Sequence, residues 1–385
     1  MSAPAVLLPA YDHPALEERY AHWQCQMILR RDHAEIAWYE GDEPAASAAE
    51  QIDAEHVLVV TDPLLLPSPR LGSRLLEALG DAFAAVPGTN YAADARQVVE
   101  IPPYMTLREF EARVEDRRSR LSGQAGLPVL HWEAHDPGVF LVRTAALRGL
   151  RTPLRRAIEG QSVVIASDVI VHRWASLRGQ VRTDLLDRID PAARTVLEFG
   201  CGEAPLGAAL KKRQKCRVVG VELDHAAATI ARKRIDDVYE GDVREIVSIL
   251  NERFDFIVGG DIVEHLDEPW TFLADLRRIC APGGKLLLSL PNVAHASIVA
   301  DLLQGRFDYV YMGLTCVGHL RFFTRRSVEE MLDIAGWRVV SIEPQSLAIT
   351  PEQSQLLGGL RAAGLPFAAD EIYPTGFYVT ATNPA

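Results

Sequence analysis

The chain has 385 residues, 48% apolar and 24% charged, with 52 acidic side chains against 40 Lys and Arg and a net charge of -12. These are ordinary globular values, which exclude a disordered or fibrous chain. The acidic balance disfavours nucleic acid as a partner, because phosphate backbones need a clustered positive footprint. At roughly 150 residues per domain, two domains are expected.

No apolar run approaches the ~18 residues that a membrane helix requires. The opening MSAPAVLLPAYDHP has no positive segment ahead of its apolar stretch, so a secretory leader is not expected. Cysteines 25, 201, 216, 280 and 316 lack CxxC spacing, which points to neither a zinc site nor a disulfide framework. A cytoplasmic protein is the expectation.

Residues 1–150 carry apolar runs at 57–60 and 139–143, with helical patterning near 72–86 and 106–121. They are expected to form an N-terminal α/β domain. The Arg-rich stretch 148–156 opens an expected connector, 151–185. All five lysines lie at 211 or beyond, which also sets the two halves apart.

From 186 to 385 the pattern becomes regular. Strands are predicted at 195–199, 217–222, 254–259, 285–290, 338–343 and 376–381. Helices are predicted at 205–213, 225–235, 244–251, 270–280 and 351–363, with one more after Ser327. Strands alternating with helices imply βαβ units and a mostly parallel sheet covered on both faces. Counting one strand ahead of Asp242, the sheet has about seven strands. Asp224 is placed to cap one helix, Pro269 to open another, and Ser327 with Glu330 to form an S-x-x-E capping box.

The first of these strands ends in Glu198-Phe199-Gly200-Cys201-Gly202-Glu203-Ala204. A glycine turn at the carboxyl end of a strand lets backbone approach a ligand closely. Glu222 ends the next strand, 22 residues after Gly200, where a carboxylate can accept ribose hydroxyls. Asp242 follows 20 residues later, and the fourth strand runs into Gly260-Asp261-Ile262-Val263-Glu264-His265.

This succession resembles the class I S-adenosylmethionine-dependent methyltransferases, from about residue 190 to the C-terminus. VLEFGCGEA matches the family's acid-GxGxG motif, with Ala204 at the third glycine position. GDIVEHLDEPW resembles the fourth motif and APGGKLLLSLPN the fifth-strand hairpin. The resemblance implies a Rossmann-like α/β sheet of seven strands and S-adenosylmethionine as cofactor, leaving as S-adenosylhomocysteine. It places Gly200, Cys201 and Gly202 along the methionine and ribose, and Glu198 near the cofactor's amino group. Glu222 would hold the ribose hydroxyls, Leu223 would pack on adenine, and Asp242 with Val243 would face the adenine amino group. Asp261 would serve the cofactor from the fourth strand. A dinucleotide-binding dehydrogenase fits worse, because GxGxxG needs glycine where Pro205 or Leu206 stands.

Methyl transfer from a sulfonium is an in-line displacement, in which the protein aligns the partners and removes a proton when the acceptor is a hydroxyl. Histidine suits that proton transfer near neutral pH. His265, after the fourth strand, and His319, in VGHLRFFTR, are the candidate bases. His295 and Tyr311 lie on the intervening segment 291–316, expected as a lid, and are read as structural. Asp261, Glu264, His265 and His319 also resemble the D/E-x-x-E-H plus distant histidine of metal-assisted members, including small-RNA 2'-O-methyltransferases and quinone O-methyltransferases. Such O/N ligands suit Mg, Mn or Fe. Asp261 is one methylene shorter than the usual Glu, and no metal is predicted.

In the N-terminal half, HVLVVTDPLLLPSPRLGSRLLEAL (56–79), DPGVFLVRTAALRGL (136–150) and SDVIVHRW (167–174) resemble pieces of a GT-A glycosyltransferase. The resemblance implies a DxD metal motif, but Thr61-Asp62-Pro63 supplies one carboxylate. The region before it is also short, so a degenerate domain that binds glycan or forms an interface is implied. The expected activity is O-methylation of a sugar, a surface-glycan precursor or another bacterial small metabolite, with a homodimer as the possible assembly. The alternatives are a silent cofactor-binding scaffold and an RNA methyltransferase. The second needs a basic acceptor face, and the dense cluster 211–217 (KKRQKCR) sits beyond the first helix.

Overall fold

The computed structural model describes all residues except 1–2, 12–14, 34, 42, 103, 122–125, 134–135, 175–179, 347–348 and 385. The chain forms two compact units. One holds Met1–Ala175 together with Asp308–Val317, and the other holds Ser176–Phe307 and Gly318–Ala385. Among the described residues, no helix is long and apolar enough to cross a membrane.

The first unit is built on eight strands: β1 (Ala5–Pro9), β2 (Ile36–Tyr39), β3 (His56–Val60), β4 (Leu65–Pro67), β5 (Ala84–Thr89), β6 (Leu127–Val129), β7 (Val139–Arg143) and β8 (Val163–Arg173). Their order is β2-β1-β3-β7-β5-β8-β4, with β6 paired to β8. Strands such as AVLLP and HVLVV are apolar without interruption because both faces are covered. Ala5, Leu7, Val57 and Val59 enter one core layer, while Val6, Leu8, Leu58 and Val60 enter the opposite one. The stretch expected as a connector therefore contains β8, which pairs in parallel with β5. It is 11 residues long, with two uninterrupted buried runs, Val163–Ala166 and Val169–Val171.

The second unit contains β9 (Thr195–Phe199), β10 (Arg217–Glu222), β11 (Asp237–Glu240), β12 (Phe254–Gly260), β13 (Cys280–Pro291), β14 (Arg338–Pro344) and β15 (Gly376–Thr382). The order is β11-β10-β9-β12-β13-β15-β14, parallel from β11 to β13, with β15 antiparallel to both of its neighbours. Val196, Val218, Phe256 and Val258 face one helical layer, and Leu197, Val219, Ile257 and Leu286 face the other. This is the expected seven-stranded, mostly parallel sheet.

Two local expectations change. The helix expected over 225–235 ends at Ala231, because Asp236 turns toward the sheet, where its amide donates to the Val218 carbonyl and its carboxylate accepts from the Val218 amide. The helix Arg325–Ile334 is capped by Thr324, which exchanges bonds with Ser327 at its third position. Ser327 thus closes the capping box rather than opening it, and Glu330 pairs with Arg326 on the exposed face. Asp224 and Pro269 sit where predicted.

Candidate active site

The strand order reverses between β9 and β12, and both strands end on the same edge of the sheet. Open α/β sheets bind ligands in such a crevice. Gly200 and Gly202 adopt φ of +67° and +56°, and Ala204, at the family's third glycine, holds φ of +55°. The loop therefore tolerates its methyl in a left-handed backbone. A Cβ on Gly200 would lie 2.3 Å from Ile262 Cδ1, so glycine is what lets the loop after β12 close against the turn after β9.

Glu222 ties the turn together. One of its oxygens accepts from the Gly202 amide at 2.7 Å, and the other accepts from the Asp224 amide at 2.9 Å. Leu223 beside it is 73% exposed, an apolar surface open to a planar group. Asp242 caps the helix Val243–Ile249 and accepts from both the amide and the guanidinium of Arg244. Val243 is partly buried against the core.

Glu198 lies deeper. Its side chain is 7% exposed and accepts from the Gly207 amide at 3.0 Å, at the start of the helix Pro205–Arg213. Burial pushes its carboxyl up to about 8, with the charge of Glu222 adding and the Gly207 bond opposing. Cys201 is buried, and its Sγ occupies the space that a Cβ on Gly220 would need.

Asp261 also has a left-handed backbone, φ +56°. Its carboxylate accepts from Arg182 at 2.5 Å and from the Ser289 hydroxyl at 2.8 Å. Arg182 in turn grips Asp184, to which the Tyr378 hydroxyl donates at 2.7 Å. Burial raises the Asp184 carboxyl, but the bonds from Arg182 and Tyr378 outweigh it and hold it at about 2. The motifs did not point to this Arg182–Asp184–Asp261 network. The R-x-D spacing at 182–184 was its visible trace.

The loop after β12 contains a short 3-10 turn, Val263–His265, where the neighbours Glu264 and His265 meet His319 from a distant position. The rings of His265 and His319 meet edge to face, with centroids 4.9 Å apart. The amides of Leu320 and Arg321 both donate to the Glu264 carbonyl, which fixes the His319 segment to this turn. Glu264 is fully buried, and neither carboxylate oxygen accepts a hydrogen bond among the described residues. His319 Nε2 lies 3.9 Å from its Oε1. Burial, and then the charge of Asp261, raise its pKa well above the ordinary carboxyl range. Ligand atoms of Glu264, His265 and His319 lie within 4.8 Å of one another, a spacing a metal ion could use, and Asp261 stands outside that set.

His295 instead caps the helix Ala296–Leu302, its Nδ1 accepting from the Ser297 amide. Tyr311 belongs to the first unit, where its ring lies 5.5 Å from that of Trp174. The segment expected as a lid over the acceptor thus has its 308–316 portion built into the other unit.

Residues 172–342 match the family model described as a methyltransferase domain. Together with the sheet order and the acid-glycine turn already described, this match marks residues 172–342 as a methyltransferase domain similar to the class I S-adenosylmethionine-dependent enzymes. A Mycolicibacterium smegmatis protein bearing the name of an S-adenosylmethionine-dependent methyltransferase is 31% identical over 150 residues, 38% of this chain and 53% of the relative. A ubiquinone biosynthesis O-methyltransferase of Pseudomonas paraeruginosa is 26% identical over 141 residues, 32% of this chain and 60% of the relative. The chain thus spans 53% and 60% of the lengths of these two relatives. A solved SAM-dependent methyltransferase from Archaeoglobus fulgidus aligns at 17% identity with a TM-score of 0.40, over 52% of this chain and 91% of that one.

Proposed function

We propose that this chain is a cytoplasmic methyltransferase that moves the methyl group of S-adenosylmethionine to a hydroxyl of a sugar, a surface-glycan precursor or another small bacterial metabolite. Gly200, Cys201 and Gly202 line the methionine and ribose, and Glu222 accepts the ribose hydroxyls. Leu223 lies under adenine, with Asp242 and Val243 at its edge. Glu198 and Asp261 complete the cofactor side. The observation that carries this reading is the His265–His319 ring pair at the loop after β12, whose Ile262 side chain lies against Gly200. One of these imidazoles takes the hydroxyl proton as the O–C bond forms and the S–C bond breaks.

The relatives named as O-methyltransferases support a hydroxyl acceptor. RNA is disfavoured by the acidic net charge and because two of the five bases at 211–217 are paired locally, Lys211 with Asp236 and Arg217 with Asp237 and Glu252. A second reading draws on the buried, unbonded carboxylate of Glu264 beside two histidines. These three residues would hold a divalent cation, which would polarise the acceptor oxygen. Transfer of labelled methyl to glycan, small-molecule and RNA pools tests the acceptor class. Repeating the assay after chelation separates the readings, since the histidine-base reading expects unchanged turnover and the metal reading expects its loss. Cofactor bound tightly with no label in any pool would leave a silent scaffold.

A further inference from the structure

The chain leaves the second unit after Phe307 and returns to it at Gly318, and the loop between, Asp308–Val317, folds as part of the first unit. The loop closes on itself. The Val310 amide donates to the Thr315 carbonyl, and the Val317 amide donates to the Val310 carbonyl. The Thr315 hydroxyl donates to the Asp308 carbonyl at 2.8 Å. Val310 is buried in the core that holds Ile28, Phe110 and Trp174.

The helix Leu16–Arg30 grips this loop from the far end of the sequence. Gln24 Nε2 donates to the Tyr309 carbonyl at 2.8 Å, and the Tyr20 hydroxyl donates to the same carbonyl at 3.2 Å. Residues 20 and 24 are four apart, so they share a helix face. Gln24 is 3% exposed, and a side-chain amide so buried costs free energy unless it is bonded. Two donors from one face, converging on one backbone carbonyl, specify where the loop sits.

Both flanks of the loop are held inside the second unit. The rings of Phe307 and Phe322 meet edge to face at 5.6 Å, and the His319 ring lies 6.3 Å from that of Phe322. The Leu320 and Arg321 amides are tied to the Glu264 carbonyl. Between the Val317 amide, bonded within the loop, and the Leu320 amide, bonded to Glu264, stand only Gly318 and His319. A free loop would leave this segment a long tether at its amino side, whose ordering costs entropy. Folding the loop into the first unit cuts that tether to two residues.

We propose that the first unit positions the His319 segment, with Gln24 and Tyr20 as positioning residues for methyl transfer. Their effect on turnover rests on the histidine-base reading, whereas their hold on the segment does not.

The test is hydrogen exchange, resolved at single amides, on the full chain carrying Gln24→Leu with Tyr20→Phe. Leucine fills the buried site without a donor, and phenylalanine removes only a hydroxyl. Should the double variant not fold, Tyr20→Phe alone carries the same readouts. Exchange at the Leu320 and Arg321 amides is expected to quicken about fivefold or more, with β3 and β12 exchanging as in the parent. Turnover, on the acceptor that takes up labelled methyl, is expected to fall about fivefold or more, with S-adenosylhomocysteine affinity within about twofold of the parent. Unchanged exchange at both amides in the folded variant, or a loss of cofactor affinity as large as the loss of turnover, would overturn the proposal. Faster exchange together with full turnover in His319→Ala would remove His319 as the base and leave the positioning of the segment standing.

Discussion

The carboxylate of Glu222 accepts the amide proton of Gly202 at 2.7 Å, so the acid that ends β10 also shapes the glycine turn that follows β9. Its second oxygen holds the Asp224 amide at the start of the next helix. One side chain thus organises both loops flanking the proposed cofactor cleft, and still has lone pairs for two ribose hydroxyls. Glu222→Ala is expected to weaken S-adenosylhomocysteine binding roughly 10- to 100-fold, the range for losing charge-assisted hydrogen bonds. Calorimetry on a variant whose circular dichroism matches the parent checks it. Unchanged affinity would remove Glu222 from the cofactor site.

Gly200→Ala adds a methyl 2.3 Å from Ile262 Cδ1 at a φ of +67°. The left-handed backbone costs an alanine about 1 kcal/mol and overpacking about 1–3 kcal/mol, so a loss of roughly 2–4 kcal/mol is expected. Urea unfolding measures it. A loss below about 0.5 kcal/mol would mean that the two loops separate easily.

Stability without cofactor should fall as pH rises above about 6.5 and as it drops below about 4.5, with the contributions of two buried groups opposing each other in between. Glu198 has an ordinary carboxyl value of 4.5 and is raised by burial to about 8. The folded chain holds that proton more tightly, so its contribution is full below 4.5 and is lost as pH rises through 8. His172, buried in the first unit, is lowered from 6.5 to about 4. Its contribution is full above 6.5 and is lost as pH falls through 4. At about 1.4 kcal/mol per pH unit, each group's own contribution can reach a few kcal/mol. Thermal unfolding from pH 4 to 9 should show Glu198→Gln flattening the curve between about pH 6.5 and 8 and steepening it between about 6.5 and 4.5, where the His172 slope is no longer opposed. Parallel curves for parent and variant would contradict the assignment.

The second sheet was legible in the sequence because its central strands are apolar, short and separated by helices with caps of their own. β11 was harder to see: DVYE is four residues long, polar and at the sheet edge, with little apolar alternation to mark it. The glycine turn and Glu222 were legible because they are close in sequence and need specific residue types. The Arg182–Asp261 contact joins residues 79 apart, and no local period encodes it. The same holds for 308–317, whose Val310 enters the core that contains Phe110 and Trp174 of the first unit. Local pattern suggested a lid there, while tertiary packing assigns that stretch to another core.

Catalysis by the His265–His319 pair is tested most directly by measuring turnover and cofactor affinity together in His265→Ala and His319→Ala, with an acceptor drawn from the pool that takes up labelled methyl. Loss of a positioned base is expected to lower turnover about 10²- to 10⁴-fold in at least one variant, with cofactor affinity within about threefold of the parent. Full turnover in both single variants would show that neither imidazole removes the acceptor proton.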